Sequence, residues 1–229
     1  MQLESVMKND SPVTLRNSQP RSEPWWQRRF DAHYVKHQQP LPKEKQPQIV
    51  FLGDSIIHRW EDEGIDAWMA YFAAKKCVNL GYGGDCTEHM LWRLNNGELG
   101  NLQPQWFCVL AGTNNAGHFN DSPQSIARGV QAIVEQLKVL RPSARIVLNA
   151  IFPRSKAPNQ RLRIRVEQTN LLLKALCDEK QVFWLNMSAQ FLTKEGVLEA
   201  NVMSDFLHPN SLQYVKWGVQ IERLINDND

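Results

Sequence analysis

Five short apolar runs, separated by stretches with helical periodicity, constrain this chain more than any other feature. They lie at 48–52 (QIVFL), 77–80 (CVNL), 106–111 (WFCVLA), 145–151 (RIVLNAI) and 182–185 (VFWL). Each is nearly continuous in apolar character and does not alternate. That pattern belongs to strands buried on both faces, as in a parallel sheet. Helical stretches fall between the runs, at 65–74, 87–94, 125–140 and 162–180. In the third of these, Ile126, Val130, Ile133, Val134, Leu137 and Leu140 recur at helical spacing, and Asp121 or Ser122, ahead of Pro123, suits an N-cap. A last helix is expected over 211–225, capped by Asn210. Strands alternating with helices predict an α/β fold with helices on both faces of the sheet.

Length and charge narrow the function classes. A chain of 229 residues fits one domain better than two and buries enough surface to need no disulfide or metal staple. Lys plus Arg number 26 and Asp plus Glu 24, a near-balance that argues against a general nucleic-acid binder. No apolar run approaches the roughly 20 residues of a membrane span. Residues 1–22, rich in Ser, Pro, Asn and Gln, read as a flexible arm ahead of a single domain over 23–229. Within that domain a helix is expected over 23–36, followed by a linker over 39–47 that holds Pro40, Pro42 and Pro47. The first ten residues contain no apolar core of a secretory signal, and the four cysteines form no C-x-x-C pair. A reduced, cytoplasmic protein is expected; a secreted or periplasmic chain already cut from its signal is the alternative.

Ligands of open parallel sheets bind beyond the carboxyl ends of the strands, so the residues that follow each run are the informative ones. The first run leads into Gly53-Asp54-Ser55. A serine there can present its hydroxyl at a helix N-terminus, although a lone G-D-S is more simply a helix cap. The second leads into Gly81-Tyr82-Gly83-Gly84-Asp85, which is either a tight turn or a loop whose N–H groups approach a ligand. A dinucleotide fingerprint fails, because Cys86 stands where the third glycine belongs. The third leads into Gly112-Thr113-Asn114-Asn115, where an Asn amide can serve turn chemistry or receive an oxyanion. Near the end comes Asp205-Phe206-Leu207-His208-Pro209. A carboxylate three residues before an imidazole can hold one ring nitrogen and leave the other as a base. Each signal is weak alone. Together they supply a nucleophile, oxyanion donors and an Asp–His pair, the parts of an acyl-transfer site. No G-x-S-x-G occurs, so the nucleophile elbow of the α/β-hydrolases is absent.

These residues resemble the SGNH (GDSL-type) hydrolase family, whose four letters stand here as Ser55, Gly84, Asn114 and His208. Within the family the chain is most similar to the platelet-activating-factor acetylhydrolase alpha-subunit-like esterases and their bacterial relatives. The stretches GGDCTEHMLWRLNNGEL (83–99), GTNN (112–115) and DFLH (205–208) carry that similarity. The resemblance implies a three-layer α/β/α sandwich on a five-stranded parallel sheet, flavodoxin-like in order. It implies a serine esterase that works through an acyl-serine, with no metal or organic cofactor. Carried over by position, Ser55 is the nucleophile, His208 the base and then acid, and Asp205 its orienter. The Ser55 N–H, the Gly84 N–H and the Asn114 amide would form the oxyanion hole. Asn115 stands where the broader family often has Asp, Pro209 follows the histidine, and the first 22 residues match nothing in the family.

Ile56, Thr113 and Leu207 neighbour the site residues and are candidates for the walls of an acyl pocket selective for acetyl; Ile56 and Leu207 as plain core residues is the alternative. The basic run Arg154, Lys156, Arg161, Arg163 and Arg165 is either a receptor for an anionic substrate group or a solvated face. Trp25, Trp26 and Phe30 either pack or form a subunit contact, and the resemblance implies a homodimer. A small-molecule ester is the expected substrate. A thioesterase with the same machinery and a non-catalytic scaffold of the same fold are the competing readings.

Overall fold

The five apolar runs become the five strands of one sheet in a computed structural model that describes residues 17–229. They are β1 (Ile49–Gly53), β2 (Val78–Gly81), β3 (Trp106–Leu110), β4 (Arg145–Asn149) and β5 (Val182–Leu185). The order is β2-β1-β3-β4-β5, and every neighbouring pair is parallel. Most of the expected N-terminal arm, 1–16, lies outside the described residues.

The helices are α1 (Pro24–His37), α2 (Ser55–His58), α3 (Ile65–Tyr71), α4 (Thr87–Asn95) and α5 (Thr113–His118), then α6 (Pro123–Leu140), α7 (Arg161–Lys174), α8 (Ser188–Phe191) and α9 (Ser211–Asn226). Successive strand residues face opposite ways, so the apolar runs feed two separate cores. Val50, Leu52, Phe107 and Val109 join Met90 of α4, Ile126, Val130 and Ile133 of α6 and Val166 of α7. Ile49, Phe51, Trp106 and Cys108 join Ala67 of α3 and Trp217, Ile221 and Ile225 of α9. The result is a three-layer α/β/α sandwich. A third, smaller cluster of Trp26, Phe30 and Tyr82, with Trp92 against it, docks α1 beside the end of β2.

The longer helices begin where the capping residues stand. Ser122 accepts from the Ser125 N–H at the start of α6, and Asn210 from the Gln213 N–H at the start of α9. Helix α2 begins at Ser55, an expected helix start, but α5 and α8 have no expected counterpart, because four to six residues are too few to display a period. The expected helix over 162–180 ends early, at Lys174. Beyond it Asp178 Oδ1 accepts from the N–H groups of Lys180, Gln181 and Val182 at 3.0, 2.8 and 2.9 Å, which turns the chain into β5. The four cysteines are unpaired. Among the described residues no helix is long and apolar enough to cross a membrane.

Strand register brings three loops together. Gly53, the last residue of β1, pairs with Gly81 of β2 on one side and Leu110 of β3 on the other. The segments that begin at Asp54, Tyr82 and Ala111 therefore leave the sheet side by side. This is also where the winding reverses, the usual place for a ligand in an open α/β sheet.

Candidate active site

Ser55 is the first residue of α2, directly after β1. Asp54 caps that short helix, its Oδ1 accepting from the Ile56 N–H at 2.9 Å. Gly81 permits the close packing of α2 on β2, since a Cβ there would lie 2.1 Å from the His58 nitrogen. Ser55 Oγ lies 2.8 Å from His208 Nε2, and His208 Nδ1 lies 2.6 Å from Asp205 Oδ2. The carboxylate can only accept from the ring. Nδ1 therefore carries the proton, and Nε2 accepts from the serine hydroxyl.

Asp205 also builds the loop that carries the imidazole. Its Oδ1 accepts from the Leu207 and His208 N–H groups at 3.0 and 2.8 Å. This grip holds Phe206 in the left-handed region at φ +56°, a conformation that costs a bulky residue on the order of 1 kcal/mol or more. Burial pushes the Asp205 carboxyl up, but the hydrogen bonds from the His208 ring and from the two N–H groups outweigh it and hold the group below the ordinary carboxylate range. At Asp54 the hydrogen bond from the Ile56 N–H does not offset burial. Fully buried, with Oδ2 unpartnered, its carboxyl is pushed up to about 7.

Gly84 follows β2 with φ +76°, and Asn114 lies in the first turn of α5 after β3. The Asn114 amide donates to the Asp85 carbonyl at 2.9 Å, which fixes the amide's orientation and leaves its second hydrogen for another acceptor. Asn115 is tied elsewhere. Its Oδ1 accepts from the Thr87 N–H at 3.0 Å, and its Nδ2 donates to Glu88 and Asp121. Asp85 is the hub of a buried network. Its carboxylate accepts from Trp26 Nε1 at 2.6 Å and Arg93 Nε at 3.0 Å, and Arg93 continues to Glu98, which also accepts from the Tyr82 hydroxyl. A cavity of about 570 Å³ opens beside this loop, lined by Gly84, Cys86, His89, His118 and Phe119 and by the segment 19–23. Burial pushes His89 down to about 4, and its Nδ1 accepts from the Cys86 N–H, so the ring is neutral with its proton on Nε2.

A serine hydroxyl bonded to an imidazole that a carboxylate steadies can lose its proton as it attacks a carbonyl. The sequence profile of the GDSL-like Lipase/Acylhydrolase family matches residues 51–215. The chain belongs to that family. The human platelet-activating factor acetylhydrolase IB subunit alpha1 is 35% identical over 173 residues, covering 75% of this chain and 72% of the relative. A GDSL-like lipase from Bacteroides thetaiotaomicron shares the fold with a TM-score of 0.73 at 19% identity, over 87% of this chain and 97% of its own. An acetylxylan esterase from Geobacillus stearothermophilus does so with a TM-score of 0.61 at 17% identity, over 77% of this chain and 93% of its own.

In this GDSL-like acylhydrolase the matched region contains Ser55, Gly84, Asn114, Asp205 and His208, and α1 lies outside it. Ile56 and Thr113 are buried at 1% and 2% exposure, and Leu207 packs half-buried against the core that holds Ile56. The basic run divides: Lys156 and Arg161 are exposed, and the other three arginines are engaged by backbone carbonyls. Arg154 donates to the Thr113 carbonyl, Arg163 to the carbonyls of Arg154, Ser155 and Gly196, and Arg165 to that of Ala116. Among the described residues no three His, Cys, Asp or Glu side chains gather as a metal ion requires. Sequence reading missed Arg21 and Trp26 as supports of the site, because each acts on the loop after β2 from a distance in sequence, and Arg93, because its carboxylate partners lie outside its own helix.

Proposed function

We propose that this chain is a serine esterase that removes short acyl groups, acetyl above all, through a covalent acyl-serine. The observation that carries the reading is the hydrogen-bonded chain from Ser55 through His208 to Asp205, with links of 2.8 and 2.6 Å. Ser55 Oγ attacks the ester carbonyl carbon as its proton passes to His208 Nε2. The carbonyl π pair moves onto oxygen, and the N–H groups of Ser55 and Gly84 and the Asn114 amide receive that charge. Asp205 steadies the imidazolium. Collapse breaks the ester C–O bond, the leaving alkoxide takes the proton from His208, and the acyl group stays on Ser55. Water, deprotonated by His208, then attacks the acyl-serine; collapse breaks the acyl C–Oγ bond, His208 returns the proton to Oγ, and the carboxylic acid leaves.

The acetyl preference draws on two likenesses, to an acetylhydrolase subunit by sequence and to an acetylxylan esterase by fold. Ile56 and Thr113 are buried, Ile56 within the core, so they bear on the acyl group only as chain neighbours of Ser55 and Asn114, as Leu207 does beside His208. The cavity of about 570 Å³ beside Gly84 would take the alcohol part of the ester. The thioesterase alternative is left with Lys156 and Arg161 as exposed cations of the basic run, since Arg154, Arg163 and Arg165 are engaged by the protein's own carbonyls.

A 4-nitrophenyl ester series from acetate to octanoate tests this, with wild type and Ser55→Ala side by side. The acetate should turn over fastest, and Ser55→Ala should lose on the order of 10⁴–10⁶ in kcat. Octanoate cleaved as fast as acetate would remove the short-acyl assignment. A Ser55→Ala protein that keeps its rate would remove the acyl-serine.

A further inference from the structure

The loop after β2 is gripped at every second residue by a segment that lies outside the family-matched region. Arg29 Nε donates to the Gly81 carbonyl at 3.0 Å, Arg21 Nη1 to the Gly83 carbonyl at 3.3 Å, and Trp26 Nε1 to the Asp85 carboxylate at 2.6 Å. Residues 21–29 thus form a clamp on 81–85. Arg21 is the part of it nearest to Gly84. Its guanidinium lies so close that a Cβ built on Gly84 would fall 2.2 Å from Nη1. Its other nitrogens are anchored, Nε to Glu23 Oε2 at 3.1 Å and Nη2 to Glu23 Oε1.

The carbonyl that Arg21 holds and the Gly84 N–H belong to one peptide unit. The described residues hold no cis peptide bond, so that C=O and that N–H point in opposite directions. A donor fixed on the oxygen side sets the plane of the unit and so aims the N–H away from the guanidinium. It also draws electron density toward the oxygen, which makes the N–H a better donor, as linked hydrogen bonds polarise one another. At Gly84, with φ +76°, no side chain of its own restrains the plane. We infer that Arg21 is a positioning residue for ester hydrolysis: it orients and polarises the Gly83–Gly84 peptide so that the Gly84 N–H meets the oxyanion. This rests on the reading of Gly84 and Asn114 as oxyanion donors.

A group that acts only on the transition state changes kcat and leaves substrate binding alone. Arg21→Ala should therefore lower kcat on 4-nitrophenyl acetate about tenfold with KM within about twofold. The affinity of a boronic acid, whose serine adduct places an anionic oxygen in the same hole, should fall by a similar factor. Arg21→Lys, which can still donate to the Gly83 carbonyl but loses the forked anchor on Glu23, should recover part of both. It also carries the test where Arg21→Ala does not fold, with an expected kcat about threefold below wild type. A rise in KM at unchanged kcat would make Arg21 a wall of the substrate cavity and overturn the inference. So would wild-type kinetics in both variants while Asn114→Ala is impaired, and in that case the esterase reading survives. If Asn114→Ala is equally unimpaired, the oxyanion assignment falls and the positioning role with it.

Discussion

In the proposed mechanism a single amide, that of Asn114, has two tasks. One hydrogen goes to the Asp85 carbonyl at 2.9 Å, and the side chain is 3% exposed, so the amide cannot rotate freely to suit a substrate. That rigidity is what an oxyanion donor needs, because the donor should be aimed before charge develops. Asn114→Ala should lower kcat by about 10²–10³, or about 3–4 kcal/mol of barrier, with the fold intact, as read by steady-state rates on 4-nitrophenyl acetate. A silent substitution would remove Asn114 from the oxyanion site. Ser55, Asn114, Asp205 and His208 could be picked out from the sequence because each lies in a short polar cluster where an apolar run stops or the last helix is about to start. Arg21 could not. It acts through a backbone carbonyl, and no pattern of side chains marks which carbonyl a distant guanidinium will find.

Helix α4 joins the site to the rest of the sheet through charge. Arg93, on its inner face, is fully buried with both of its carboxylate partners, Asp85 in the loop before the helix and Glu98 beyond its end. Burial pushes Glu98 up, but the Arg93 guanidinium beside it and the hydrogen bond from Tyr82 bring it below the ordinary range. Replacing one member strands the others. Arg93→Met leaves two carboxylates without their cation and should cost about 3–5 kcal/mol of stability, measured by chemical denaturation. It should also loosen Asp85 and so the carbonyl that holds Asn114. A loss under about 1 kcal/mol would mean that water or rearrangement replaces the cation. The strands were readable because burial on both faces makes them continuously apolar. This network was not, because Arg93 and Glu98 are five residues apart, a spacing that pairs no side chains on a helix. The end of α7 was misjudged for a related reason: the turn made by Asp178 is polar, and a helical face is polar too.

For the molecule as a whole, Asp54 ties stability to pH at the point where the chain leaves the sheet toward the proposed nucleophile. It is fully buried, its Oδ2 has no partner, and its carboxyl is pushed up to about 7 from an ordinary 3.8. Arg154 opposes the rise and Asp85 adds to it, but burial dominates. A carboxyl raised in the folded state holds its proton more tightly there than in the unfolded chain. Its contribution is fully present below the unfolded value and is lost as pH rises from about 4 to about 7. Carboxylates such as Glu98 and Asp178, held below the ordinary range, act in the opposite sense, and their contribution is lost in acid. Because the two effects overlap near pH 4, wild type alone does not separate them, and a difference between two proteins does. Asn at position 54 keeps an oxygen for the Ile56 N–H and caps helices as well as Asp, but has no proton to lose. The stability of Asp54→Asn minus that of wild type should therefore grow between pH 4 and pH 8, by on the order of 3–4 kcal/mol if the full displacement is expressed. Denaturant midpoints at each pH for the two proteins read this directly. Curves that stay parallel from pH 4 to pH 8 would mean that Asp54 ionises in the folded protein as it does in the unfolded chain, and that the buried carboxyl beside Ser55 has a partner strong enough to hold its charge.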